Sequence, residues 1–180
     1  MLVVRYAVSM RSTRLTARAC LLTLMTAACF AATPDWGPAQ FLVGNWTGEG
    51  SGQPGAGTGA FSFTPDLDGK VLLRRSFAEY PAAGGKPASR HDDLMVVYHG
   101  ETAGELRAIY FDSEDHVIRY TGTASASGVV FMSDGKPGEV RYRLTYTSTG
   151  KDTLKLQFDV AAPGKEFARY LEAGARRAPR

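Results

Sequence analysis

The sequence predicts an all-β protein: a closed antiparallel up-and-down barrel of about ten strands, with a short helical turn at its N-terminal end. Three observations predict it. From Trp46 onward, apolar and polar residues alternate in short runs separated by turn residues. No segment carries a long apolar pattern at helical spacing. The connections are short, so sequence neighbours pair antiparallel, and about ten such strands bury one face only by curling round. Closure also removes exposed strand edges. A two-sheet sandwich is the alternative, and no long crossover connection is visible to favour it.

The elements follow in order. Residues 33–40, with Pro34 and Pro38, read as a linker, and Phe41-Leu42-Val43 as one helical turn before Gly44. The first strand holds Trp46 to Gly50. The second runs Gly59 to Thr64, with Phe61 and Phe63 on one face. A turn at Pro65 to Gly69 leads to the third, Val71 to Tyr80, and Pro81 to Pro87 forms a loop. The fourth is Asp93 to His99, the fifth Leu106 to Phe111, and the sixth, after a turn at Asp112 to Asp115, His116 to Thr123. The seventh is Val129 to Met132. The eighth is Glu139 to Thr147, with Val140, Tyr142, Leu144 and Tyr146 on one face. The ninth is Thr153 to Val160, with Leu154, Leu156, Phe158 and Val160 inward and Lys155, Gln157 and Asp159 outward. The tenth is Phe167 to Leu171. These residues 41–180 make one domain.

The net charge of +3 is unevenly placed. Residues 1–32 hold Arg5, Arg11, Arg14 and Arg18 and no acid, which leaves 17 basic against 18 acidic residues in the remainder. A near-neutral folded part gives no reason to expect a nucleic-acid partner. Arg176, Arg177 and Arg180 form a small basic tail suited to solubility. Residues 1–32 read as a signal peptide: a basic stretch, an apolar run from Ala19 to about Ala32, and small residues for cleavage after Ala31. The run is too short to span a bilayer. Met10 is an alternative start. Thr26-Ala27-Ala28-Cys29 resembles a bacterial lipoprotein cleavage box, with Thr where Leu is usual, so a lipid anchor at Cys29 is the alternative to ordinary cleavage. Either route exports the protein, to the periplasm or beyond. No disulfide can then staple the domain, and its core must hold it together.

Two groups of residues carry a family resemblance. Gly44-Asn45-Trp46 opens the first strand and resembles the Gly-x-Trp start of the lipocalins and the wider calycin group. The resemblance implies a tryptophan plugging one barrel end and an arginine from the last strand region stacked across it, a favourable cation–π pair. Arg169, Arg176 and Arg177 are the candidates. Ala78-Glu79-Tyr80-Pro81, His91 to Tyr98, Tyr110-Phe111-Asp112, His116-Val117-Ile118 and Arg141 to Tyr146 together resemble a bacterial family of small secreted proteins of unknown function with a lipocalin-like barrel, over most of residues 41–177. Trp46-Thr47-Gly48-Glu49-Gly50 is distantly similar to the opening strand of nitrobindin, a haem-binding ten-stranded barrel. That family holds the haem iron by a histidine late in the chain. This sequence has no histidine after His116, so haem is not expected and no cofactor is predicted.

Candidate chemistry is sparse. His91-Asp92-Asp93, joined by Asp112 or His116, suits an acid–base or metal site at a barrel mouth. Ordinary turn chemistry, with Asp satisfying backbone N–H groups, is the competing reading, and the spacing matches no zinc pattern. Asp112 to Asp115 lacks the glycine and distant glutamate of a calcium loop. The glycines at 48, 50, 52, 55, 57 and 59 precede no helix and no Gly-Lys-Ser/Thr, so they read as a flexible loop over the barrel. No nucleophile elbow and no triad can be assembled, and no catalytic residue or metal ligand is assigned. Arg141 and Arg143 point outward if the Tyr142 face is the core, and inward if the interior is polar. Arg74, Arg75, Arg107 and Arg119 pose the same question. Arg75 shares a face with Leu73 and Phe77, which suggests one inward arginine, needing a partner or a ligand. Tyr80, Tyr98, Tyr110, Tyr120, Tyr142, Tyr146 and Tyr170 suit strands and wet cavities alike.

The ligand-binding candidates are therefore Arg75, Tyr80, His91, Asp93, Tyr98, Tyr110, His116, Arg141, Arg143 and Tyr146. They fit a barrel holding a small apolar or amphipathic molecule, with one or two polar anchors. An isomerase, cyclase or hydrolase with an acid–base site at the barrel mouth is the second reading. A cell-envelope structural or interaction protein with a filled barrel is the third.

Overall fold

The computed structural model describes residues 35–52, 55–136 and 138–179. The expected leader, its cleavage site and Cys29 lie outside the described residues. One 3-10 helix, Gly37–Leu42, precedes ten strands: β1 (Gly44–Gly52), β2 (Gly57–Asp66), β3 (Val71–Tyr80), β4 (Ser89–His99), β5 (Glu105–Asp112), β6 (Val117–Ser125), β7 (Gly128–Ser133), β8 (Arg141–Gly150), β9 (Thr153–Ala161) and β10 (Ala168–Arg177). Each pairs antiparallel with its sequence neighbour, and β10 returns to β1. The ladder is a closed circuit, as the alternation predicts.

Alternation decides the inside. Met95 and Val97 of β4, Leu106 and Ala108 of β5, Val129 and Phe131 of β7, Leu144 and Tyr146 of β8, and Leu154 and Leu156 of β9 are all buried. They meet Trp46, Phe63 and Leu72 in one core. Strand ends run beyond the apolar alternation where neighbours still offer ladder partners. β4 begins at Ser89 rather than Asp93, because Glu79 and Tyr80 of β3 pair with Arg90 and Ser89. β10 continues through Glu172-Ala173-Gly174-Ala175, poor strand formers held by ladders on both sides. β8 starts at Arg141, which leaves Val140 outside the strand and 40% exposed.

The end of the barrel near the start of β1 is sealed. Within the stretch expected to be a linker, the described residues 35–40 are not a bare connection. Trp36, Ala39 and Leu42 are buried, and the 3-10 helix packs against β6 and β7. Trp36 stacks on His99, ring centroids 4.6 Å apart. Trp46 donates from Nε1 to the Leu42 carbonyl at 2.8 Å, which ties the helix to the barrel floor. Of the three candidate arginines, Arg177 closes the barrel. Its guanidinium lies 4.3 Å from the Trp46 ring and donates to the carbonyls of Val43 and Phe41 at 2.7 and 3.2 Å. It is therefore not part of a solvated tail. Gly44 makes room for it: φ is +128°, and a Cβ there would collide with Arg177 Nη1. Arg176 is exposed, and Arg169 lies on the outer face.

Replacing Trp46 with Ala empties the floor and is expected to cost about 3–5 kcal/mol, read by urea unfolding. A loss below about 1 kcal/mol would mean that the tryptophan is not what seals this end.

Candidate functional site

The opposite end is open. There the β1–β2, β3–β4, β5–β6 and β9–β10 connections surround the mouth of a cavity of about 620 Å³. Its walls differ in kind. Residues of β8, β9 and β10 supply Tyr142, Leu144, Leu156, Phe158, Val160, Leu171 and Ala173. Tyr142 and Phe158 lie parallel, 5.9 Å apart, with Tyr170 edge-on to Phe158 at the rim. Residues of β3, β4 and β5 supply Arg74, Ser76, His91, Asp93, Tyr110 and Asp112. The strand order places β3 and β4 across the barrel from β8 and β9, so the polar wall faces the apolar one.

Between them, β1 and β2 present Gly48, Gly50, Gly57 and Gly59. These glycines are not a loop. At Gly59 a Cβ would run into the Phe77 carbonyl oxygen, so close strand approach demands a bare backbone there.

Arg74, not Arg75, is the inward arginine. The side chains of Arg74 and Asp93 are 7% and 6% exposed, and they form an ion pair. Arg74 Nη2 also donates to Ser76 Oγ at 3.0 Å. Its Nε–H and the Tyr146 hydroxyl are buried without a partner. Burial, the largest influence, lowers the Arg74 pKa, but Asp93 together with Tyr146, Tyr110 and Tyr120 prevails and the net direction is up. Arg75 points the other way, into a depression of about 670 Å³ on the outer face of the barrel, beside Phe77, Leu94 and Phe111.

His91 sits between the wall and the mouth. Its Nε2 lies 3.0 Å from the Tyr110 hydroxyl and 3.9 Å from Asp93, and its Nδ1 lies 3.2 Å from Glu114 Oε1. An ionised carboxylate can only accept, so Nδ1–H donates to Glu114, and in that neutral tautomer Nε2 accepts from the Tyr110 O–H. Burial pushes the Tyr110 and Tyr120 hydroxyls well above their ordinary pKa, and pushes Tyr146 up to about 12. All three remain phenols at neutral pH. Tyr80 lines the mouth, its pKa also raised by burial.

Asp112 does the turn chemistry expected of it. It accepts from the backbone N–H of Glu114 at 2.9 Å and of His116 at 3.0 Å, and from His116 Nδ1 at 2.9 Å. Burial pushes its carboxyl upward, but the hydrogen bonds from His116 and Glu114 prevail and hold it below the usual carboxylate range. Among the described residues, no three carboxylate, imidazole or thiol groups converge as a metal site requires.

Of the sequence candidates, Tyr80, His91, Asp93, Tyr110 and His116 line the cavity. Tyr146 is fully buried on the floor against Phe63, ring centroids 5.4 Å apart. Four others are elsewhere. Arg75 faces out, and Tyr98, beside Val97 in β4, is 36% exposed. Arg141 and Arg143 lie over the Phe167 ring at 4.9 and 4.5 Å, on the outer face. There Arg143 and Arg169 both pair with Asp159, whose side chain is 4% exposed although its strand position is outward. Burial pushes Asp159 upward, and the two guanidiniums hold it lower overall. Residues missed as candidates are Arg74 and Ser76, with the aromatic pair Tyr142 and Phe158. The alternation through Leu72-Leu73-Arg74-Arg75 fits either facing.

No family model matches the chain, and no curated protein does. Solved structures do. Rv2717c from M. tuberculosis is 16% identical over 79% of this chain and 98% of its own, with a TM-score of 0.59. The S-type phycobiliprotein lyase CPES from Guillardia theta is 8% identical over 78% of this chain and 90% of its own, with a TM-score of 0.52. At such identities the likeness is one of fold, a calycin-like barrel.

Asp112 and Asp159 make acid sensitivity predictable. Each folded pKa lies below its unfolded value of 3.8. The stabilisation is complete above that value and drains as pH falls through the folded one. Asp112→Asn with Asp159→Asn is expected to lower stability at pH 7 and to flatten its decline in acid, by circular dichroism melts at stepped pH. An unchanged acid slope would show that these carboxylates are not what acid attacks.

Proposed function

We propose that the protein is an exported carrier that binds a small, largely apolar molecule inside its barrel. The observation that carries this reading is the cavity of about 620 Å³, open at one end, floored by aromatic packing at the other, and walled by unlike surfaces face to face. That volume suits a small-molecule site, where apolar walls supply burial and a few polar groups fix orientation. The polar wall is held in place without a ligand, since Ser76 and Asp93 grip Arg74. Preformed sites lose little entropy on binding. Export rests on the leader pattern in residues 1–32. The calycin-like fold suits such a role by analogy alone.

A second reading, an acid–base enzyme, has one observation in its favour. His91 lies between Tyr110 and Glu114 at the cavity rim, within hydrogen-bond distance of both. A protein named as a lyase shares the fold. The readings part on whether a bound molecule is recovered unchanged.

The uncharged fluorophore N-phenyl-1-naphthylamine tests the carrier. It is expected to brighten on binding at one site per chain. Ala173→Trp, which fills the apolar wall, is expected to weaken binding at least tenfold with an unchanged circular dichroism spectrum. No brightening in the native protein, or full brightening in the filled variant, sinks the carrier reading.

A further inference from the structure

Resting on the cavity reading above, we infer that the barrel selects an uncharged, ring-containing ligand with a hydrogen-bond-accepting oxygen, and rejects amphiphilic carboxylates. An arginine inside a greasy cup ordinarily suggests an anionic headgroup, because a guanidinium pairs so well with carboxylate. Here that invitation is withdrawn. Asp93 already takes the charge of Arg74, and both side chains are nearly sealed from water. The pair is neutral as a unit. A second carboxylate brought to it would lie beside the first in a poorly screened interior, with no additional buried cation among the described residues to compensate.

The rest of the polar wall points the same way. Asp112 is a further buried carboxylate on the cavity side, and its protein partners already occupy it. Glu114 stands at the rim against His91. Arg90 also lines the mouth, but it is already paired with Glu79 and Asp92. Arg74 and Arg90 stand against Asp93, Asp112 and Glu114, so the fixed charges of the lining are net negative, which opposes an anion.

What the wall retains is hydrogen-bond donation. Arg74, which lines the cavity, carries only donors, and its Nε–H is unpartnered. A carbonyl or ether oxygen supplies lone pairs and brings no charge. Across the cavity, the stacked Tyr142 and Phe158 rings supply aromatic surface to the lining. A ring with an oxygen on one edge meets both walls at once.

Three compounds of one body separate charge from shape: 2-acetonaphthone, 2-naphthoate and 2-naphthylmethylammonium. Each is titrated against the bound naphthylamine probe at pH 7.5. The ketone is expected to displace it at least tenfold better than the carboxylate or the ammonium. Asp93→Asn frees the Arg74 charge and is expected to improve naphthoate at least tenfold relative to the ketone. Because an unpaired arginine endangers folding, the double variant Arg74→Met with Asp93→Leu is run beside it. That variant removes both charges and is expected to leave naphthoate disfavoured. Naphthoate or ammonium equal to or better than the ketone in the native protein overturns the inference while leaving the carrier intact. So does the same naphthoate gain in the double variant, or no gain in a folded Asp93→Asn. If the probe itself does not bind, the cavity reading has failed first.

Discussion

The seam between β1 and β10 is the constraint on which the rest depends. Without it, ten twisted strands form an open sheet with two free edges and no interior. With it, every inward side chain is committed to one enclosed space. Trp46 and Arg177 face each other across that seam in the ladder register. The guanidinium serves two purposes there. It covers the indole, and it supplies donors to carbonyls at residues 41 and 43, where the chain enters the sheet and strand pairing cannot yet serve them. A lysine, with no planar fork, could not do both.

Two arginine–aspartate clusters show how position changes the meaning of one pairing. On the outer face, Asp159 is gripped by Arg143 and Arg169, whose own side chains are 37% and 40% exposed. Water screens those cations, so the arrangement is a modest clasp between β8, β9 and β10. Inside, Arg74 and Asp93 have almost no water to share. An apolar pair of similar volume would serve stability equally well or better there. The interior pair therefore fixes a polar edge within an otherwise aromatic cup.

Much of this architecture was legible in the chain. Alternation in β8 and β9 is regular enough that Tyr142, Leu144, Leu154 and Leu156 fall inward as expected, and the Gly44-Asn45-Trp46 start marks the sealed end. Other features were ambiguous for physical reasons. Leu73 and Phe77 are apolar on the outer face, so period-two counting could not tell whether Arg74 or Arg75 looks inward. Trp36 sits among glycine and prolines that read as a linker, and only the 3-10 turn carries it into the core. The run of glycines resembles a loop because a strand with no side chains leaves no alternation to count. The choice among Arg169, Arg176 and Arg177 depends on a bulge between Arg169 and Leu171, which shifts the phase of the last strand.

The sealing contact has a consequence in time. Arg177 and Val43 are 134 residues apart, so the vessel is finished by almost the most distant meeting the described residues can make. Local hairpins form in microseconds, but a contact of this span waits on the whole chain and must overcome a large loss of chain freedom. Until β10 arrives, β1 and β9 are raw borders able to zip onto another molecule. The early life of this protein is therefore its hazardous phase, when half-made copies can pair edge to edge.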